Sequence, residues 1–285
     1  MSDPLTVQWF PGHMAKTERQ IKAQLALVDA VAEIVDARIP VSSRNPDLDR
    51  ILQRKPRLIL LNKCDMADEV ATAEWIAYYS SGRIPAILVD CKSGKGIAKF
   101  SAAVKDLLSD TLAANRAKGL VGKPLRVMVV GIPNVGKSTF INRIAGNTRA
   151  KTENRPGVTR TNQWYTVDRE LELLDTPGVL WPKFDDKTVG EHLAFTGAVK
   201  DSILDIEGLA VHLCALLAAE YPNALSERYG IEVTEDGYET LLAIGARRGF
   251  RIKGGEIDET RAANTVLDEF RSGALGRITL ERRNG

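Results

Sequence analysis

Two short stretches carry residue types that could do chemistry together. In GIPNVGKST, residues 131–139, the spacing G-x-x-x-x-G-K-[ST] gathers two glycines, a lysine and a hydroxyl into one turn. Gly131 and Gly136 allow backbone amides to converge on an anion. Lys137 brings a charge suited to the β and γ phosphates of a nucleotide, and Ser138 a hydroxyl suited to Mg²⁺. Asn134, Val135 and Thr139 complete the wall of the expected phosphate loop. The second stretch is LLNKCD, residues 60–65. In N-K-x-D the carboxylate of Asp65 suits guanine N1 and its exocyclic amine, Asn62 reaches the opposite edge, and the stem of Lys63 covers the ring beside Cys64. Adenine would set that carboxylate against an acceptor, a mismatch costly enough to select the base. The implied ligand is GTP or GDP.

Two further stretches support the pair. DTPG, residues 175–178, follows an apolar run. It places Asp175 to join Ser138 at the metal, and the amide of Gly178 to meet a γ phosphate. In VDCKSGKG, residues 89–96, Asp90, Cys91 and Lys92 end the next apolar run, where backbone amides near Cys91 and Lys92 are expected to reach the guanine carbonyl.

Chemistry of this kind needs the carboxyl edge of a parallel sheet. Short apolar runs alternating with helical patterns predict strands at 30–37, 57–62, 85–90, 125–131, 162–168 and 171–176. Helical periodicity covers 73–80 and one long helix over 97–119 that ends at Gly119. The base motif precedes the phosphate loop, the reverse of the usual order. All motifs share one edge only if the amino-terminal segment supplies the strand that ordinarily follows D-T-P-G, which is a circular permutation. The expected fold is therefore α/β, a circularly permuted P-loop GTPase domain with a mostly parallel sheet flanked by helices, over residues 1–184. A smaller helical domain, over 185–285, is expected to follow. In it Leu209, Leu213, Leu216 and Leu217 share one face, and Ala262, Ala263, Val266, Leu267 and Phe270 another, with Asp258 as an N-cap.

At 285 residues and 44% hydrophobic content the chain can bury a substantial core. No apolar run nears the roughly 18 residues of a membrane span, and the start lacks the blocks of a signal peptide, so a cytoplasmic protein away from membranes is expected. Cys64, Cys91 and Cys214 lack metal-ligand spacing and read as reduced thiols. Charge is uneven: residues 1–184 hold 27 Lys and Arg against 19 Asp and Glu, and residues 185–285 hold 12 against 18. The basic first part is compatible with a polyanion such as RNA or with an ordinary solvated surface.

WFPGHMAKT at the start, VDARIPVSSRNP at 35–46, the permuted order and RPGVTR at 155–160 together resemble the RbgA/YlqF type of permuted ribosome-assembly GTPases. The resemblance covers nearly the whole chain. It implies GTP hydrolysis coupled to late maturation of the large ribosomal subunit, with ribosomal RNA and proteins as partners that the helical domain over 185–285 meets, no role for DNA, and a monomer off the ribosome. It also implies Thr159 as a switch ligand to Mg²⁺ and Asn134 as a support for K⁺ beside the phosphates. The chain departs from many GTPases at Val179, where a water-orienting Gln is common, and at Pro133. His13 lies in a turn that residue types alone read equally as structural, with Trp9 and Phe10 as anchors. The resemblance implies that His13 is catalytic and replaces the missing Gln. His212, on a leucine-rich helix, reads as a core or boundary residue. A GTP-gated binding module with incidental hydrolysis is the alternative function, and a GTPase joined to RNA modification a third.

Overall fold

The expected apolar runs become β1 (Ala30–Asp36), β2 (Arg57–Asn62), β3 (Ala86–Leu88), β4 (Leu125–Val130), β5 (Gln163–Asp168) and β6 (Leu171–Asp175). In the computed structural model they form one sheet in the order β3-β2-β1-β4-β6-β5. The structure describes residues 19, 21–52, 55–82, 84–120, 122–146, 163–176 and 186–283. All neighbouring pairs are parallel except β5 with β6. β1 lies between β2 and β4, so the strand carrying the phosphate loop has β6 on one side and the first of the described strands on the other. That is the permutation the motif order required.

Every residue of β1 and β2 is buried, as expected of central parallel strands covered on both faces. On one face Ile21, Leu25 and Val28 join Leu48, Ile51 and Leu52 of α1 (Pro46–Leu52) against Val31, Met128, Val130, Trp164 and Leu174. Elsewhere Phe100 of α3 (Lys99–Leu107) and Phe140 of α5 (Lys137–Ile144) meet edge to face, with ring centroids 5.0 Å apart. α2 (Glu69–Ser81) contributes buried Ala71, Thr72, Trp75 and Tyr79. With five strands parallel, Asp36, Asn62, Gly131 and Thr176 all fall at or just past carboxyl ends on one edge.

Two expectations of local structure are corrected. The helix expected over 97–119 is two, α3 and α4 (Ser109–Ala117), broken at Leu108 (φ −107°, ψ 22°). Phe100, Val104 and Leu108 are buried whereas α4 buries no side chain, so the helix bends where its anchorage ends. β3 has three residues rather than six: Val89 N still donates to Leu61 O of β2 at 2.9 Å, but Asp90 N turns to Lys95 O of the next loop.

The described residues divide into two compact units: a sheet unit of those up to Cys64, 69–176 and 281–283, and a helical unit of 65–68 and 186–280. The helical unit contains α6 (Lys187–Phe195), α7 (Ile206–Glu220), α8 (Pro222–Tyr229), α9 (Gly237–Arg247) and α10 (Glu259–Ser272). Asp186, Asp205, Asp236 and Asp258 cap α6, α7, α9 and α10 by accepting backbone amides of their first turns, each worth about 1 kcal/mol. Leu209, Leu213 and Leu217 of α7 are buried, as are Ala262, Ala263, Val266, Leu267 and Phe270 of α10. α9 crosses α7 so closely that a Cβ at Gly237 would lie 2.2 Å from the Val211 carbonyl oxygen. His212 is exposed and sits 3.0 Å from the Glu191 carboxylate, which corrects its reading as a core or boundary residue. Of the two described histidines the buried one is His192, against Phe195. No helix among the described residues is long and apolar enough to cross a membrane.

Candidate nucleotide site

The phosphate loop leaves β4 at Gly131 and enters α5 at Gly136. A Cβ at Gly131 would approach the Ile34 carbonyl oxygen to 2.8 Å. Gly136 has φ +100°, and a Cβ there would lie 2.3 Å from Asn62 Nδ2. The chain approaches so closely because Asn62 is a bracket: its Nδ2 donates to the Val135 carbonyl at 2.6 Å, and its Oδ1 accepts from the Cys91 amide at 3.0 Å. One side chain thus joins the three loops that begin at β2, β3 and β4. The sequence reading gave Asn62 to the guanine edge alone. An amide has a second N–H and a second lone pair, so the bracket leaves capacity for a base.

The loop after β3 is closed by Asp90. The Asp90 carboxylate accepts the amides of Lys92 at 2.8 Å and Ser93 at 3.2 Å, and the Cys91 amide goes to Asn62. Those amides are engaged by Asp90 and Asn62, because an Asp at this position closes its own turn. Burial raises the Asp90 pKa, but the hydrogen bonds to Ser93 and Lys92 outweigh it and hold the carboxyl below its ordinary value. Arg143 of α5 braces the loop from outside through the carbonyls of Cys91 and Lys92. Burial, with Asp90 and Cys64 nearby, pushes the Cys91 thiol up to about 12, so it is unreactive packing.

Lys63 has φ +60°, unusual for a side chain with a Cβ, and its ammonium lies 2.9 Å from Asp36 Oδ2. Asp36 is nearly fully buried and is gripped from the other side by Arg38, at 3.0 Å from Nε and 2.8 Å from Nη2. Burial favours the neutral acid, yet the charges of Arg38 and Lys63 overcome it and hold the carboxyl well below the carboxylate range. Sequence reasoning gave Asp36, Arg38 and Arg143 no part in a site, although Asp36 ends an apolar run and pairs in register with Asn62. Asp65 follows as an exposed residue, and the backbone after it is held by the carboxyl-terminal segment. Ile278 N donates to Met66 O at 2.9 Å, Arg277 Nε to Ala67 O at 3.1 Å, and Asp68 N to Thr279 Oγ1 at 3.0 Å.

At the phosphate end, burial lowers the pKa of Lys137 while Asp175 partly restores it; burial likewise raises that of Asp175 against the pull of Lys137. Asp175 Oδ1 is buried without a hydrogen-bond partner. Among the described residues no group of three His, Cys, Asp or Glu is placed to hold a metal ion by itself. An orphaned carboxylate oxygen near a phosphate loop nonetheless fits Mg²⁺, which keeps waters and phosphate oxygens as most of its ligands. Ser138 and Thr139 open the first turn of α5 and are exposed, as is Asn134 (φ +62°). His13, Thr159, Gly178 and Val179 lie outside the described residues.

A family model described as 50S ribosome-binding GTPase matches residues 126–227, beginning at the strand of the phosphate loop. The chain is 51% identical over 280 residues to ribosome biogenesis GTPase A of Priestia megaterium, covering 97% of both. The chain belongs to the ribosome biogenesis GTPase A family. It is 49% identical over 278 residues to the Bacillus cereus member, covering 97% of this chain and 94% of that one. Among solved structures, GNP-bound YlqF from T. maritima superposes with a TM-score of 0.65 at 28% identity, over 94% of this chain and 98% of that one. As the strand order already showed, this family member reads its base motif before its phosphate loop.

Proposed function

We propose that this protein is a GTPase that acts as an assembly factor on the ribosome, in late maturation of the large subunit. The observation that carries the reading is the Asn62 bracket, which ties the base loop, the phosphate loop and the loop after β3 into one unit. Membership of the ribosome biogenesis GTPase A family supplies the ribosomal context.

In this reading Asp65 selects guanine and Lys63 covers the base. Asn62, Cys64, Asp90, Cys91 and Lys92 form the base end, while Asn134, Val135, Gly136, Lys137, Ser138, Thr139 and Gly178 enclose the phosphates. Ser138, Thr159 and Asp175 hold Mg²⁺, which supplies charge neutralisation at the β and γ phosphates. Asn134 supports K⁺, and His13 orients the attacking water in place of the absent Gln. The orphaned Asp175 oxygen supports the metal assignment. Residues 1–184 serve as the GTPase domain and 185–285 as the ribosome-binding domain, in a cytoplasmic protein that is monomeric off the ribosome. Exposed Arg247, Arg248, Arg251 and Lys253 are suited to ribosomal RNA.

Sedimentation with large subunits tests this reading: binding should be stronger with a non-hydrolysable GTP analogue than with GDP, and equal binding in both states refutes it. Val179, in place of a water-orienting Gln, favours the second reading, a GTP-gated binding module. That reading predicts a single-turnover rate indifferent to subunits, and the first a rate that rises with them.

A further inference from the structure

We propose that Asp36 is a positioning residue for the base: by fixing the Lys63 ammonium it presets the lysine stem that covers guanine, and so sets nucleotide affinity. The inference rests on reading the site as a guanine-nucleotide site and adds a residue to it.

Asp36 is 1% exposed at the last position of β1, paired in register with Asn62, so the sheet fixes its backbone. Its carboxylate is already engaged by Arg38 through Nε, Nη2 and the Arg38 amide at 3.1 Å. A purely structural ion pair would be complete there. The carboxylate instead takes a second cation, Lys63 of the base loop, at 2.9 Å on the same Oδ2 that Arg38 Nη2 contacts. The Asp36 amide donates to Ser43 Oγ at 3.0 Å, and that hydroxyl also reaches the Ile39 carbonyl at 2.7 Å, so the loop after β1 folds back on the same point.

The positive φ of Lys63 is a conformation that persists where surroundings over-determine it, and the anchored ammonium is such a constraint. A lysine held at both backbone and head has lost most of its rotamers before any ligand arrives. The ordering that a loose lysine would undergo on binding is completed in folding, which is how preorganisation raises affinity. Because the base lies away from the reacting phosphate, the gain is uniform in ground and transition states. It belongs to KM and not to kcat.

A double-mutant cycle on the full chain tests this, with Asp36→Asn, Lys63→Met and both together. The readouts are the GDP dissociation constant by fluorescent-nucleotide displacement and steady-state GTP kinetics. Asp36→Asn should weaken GDP about ten-fold, raise KM in step and change kcat less than two-fold. In the Lys63→Met background it should cost almost nothing more, since its effect passes through that lysine. The preference for guanine over xanthine nucleotides, which belongs to Asp65, should stay put. Should Asp36→Asn not fold, Asp36→Glu keeps the charge, moves the carboxylate by one methylene and enters the same cycle. Costs that add independently in the two backgrounds overturn the inference, as does loss of kcat in proportion to the folded fraction. Failure of the unmutated protein to bind GDP more tightly than ADP overturns the nucleotide reading itself.

Discussion

Lys137 shows how a residue can cost the fold what, in the proposed site, it gives to the ligand. Burial lowers its pKa, with Asp175 only partly offsetting the effect, so the charged form is disfavoured in the nucleotide-free protein. For a base with a depressed folded pKa the penalty is full below that pKa and gone above the unfolded value of 10.5. Lys137→Met should therefore raise the thermal midpoint of nucleotide-free protein at pH 7, by a margin that shrinks as pH rises toward 10, while abolishing stabilisation by GTP. Calorimetry with and without nucleotide reads both; a lower nucleotide-free midpoint contradicts the account. Asp65→Asn should move preference from guanine toward xanthine nucleotides by at least ten-fold in displacement assays, since a carboxylate acceptor becomes a donor. The motifs could be picked out in the sequence because the chemistry they suggest constrains type and spacing together. Asn62's bracket could not, because its partners, Val135 and Cys91, lie 73 and 29 positions away and only the sheet brings them together.

At the scale of elements, strands were read well where burial is two-sided, as in β1 and β2, and poorly where the chain turns early, as after β3. Periodicity continued through Leu108 because α3 and α4 share one apolar register, yet only the first is anchored, and sequence spacing does not report anchorage. The role of the carboxyl terminus was likewise hidden. The Glu281 carboxylate accepts from Val41 N at 2.5 Å, from Ser42 N at 3.0 Å and from the Ser42 hydroxyl, while its carbonyl takes Trp75 Nε1 at 2.7 Å. Arg283 lies over the Tyr78 ring, 4.2 Å from its centroid. These last residues therefore complete the sheet unit. Glu281→Ala should lower stability by about 1–2 kcal/mol, the cost of leaving part-buried amides without an acceptor. Urea unfolding monitored by Trp fluorescence would show it, and an unchanged midpoint would mean that the cap is dispensable.

For the whole molecule, the total charge of +2 conceals a basic first part and an acidic last part. Any contact of the helical unit with RNA must then be local. Arg248 is shared with Glu269 at 3.0 Å and Tyr229, but Arg247, Arg251 and Lys253, close to it in the sequence, are exposed. Charge reversal at Arg247 and Arg248 should weaken GTP-dependent binding to large subunits and flatten its salt dependence, because fewer counterions are released, with nucleotide affinity unchanged. A loss of affinity with the salt slope intact would assign those arginines to protein contacts. The central claim, that one guanine-nucleotide site drives an event on the large subunit, is tested most directly by the single-turnover rate of GTP hydrolysis with and without large ribosomal subunits in potassium buffer. A rate raised at least ten-fold by the subunits, and specific to GTP over ATP, is what the account predicts; a rate that subunits leave unchanged would contradict it.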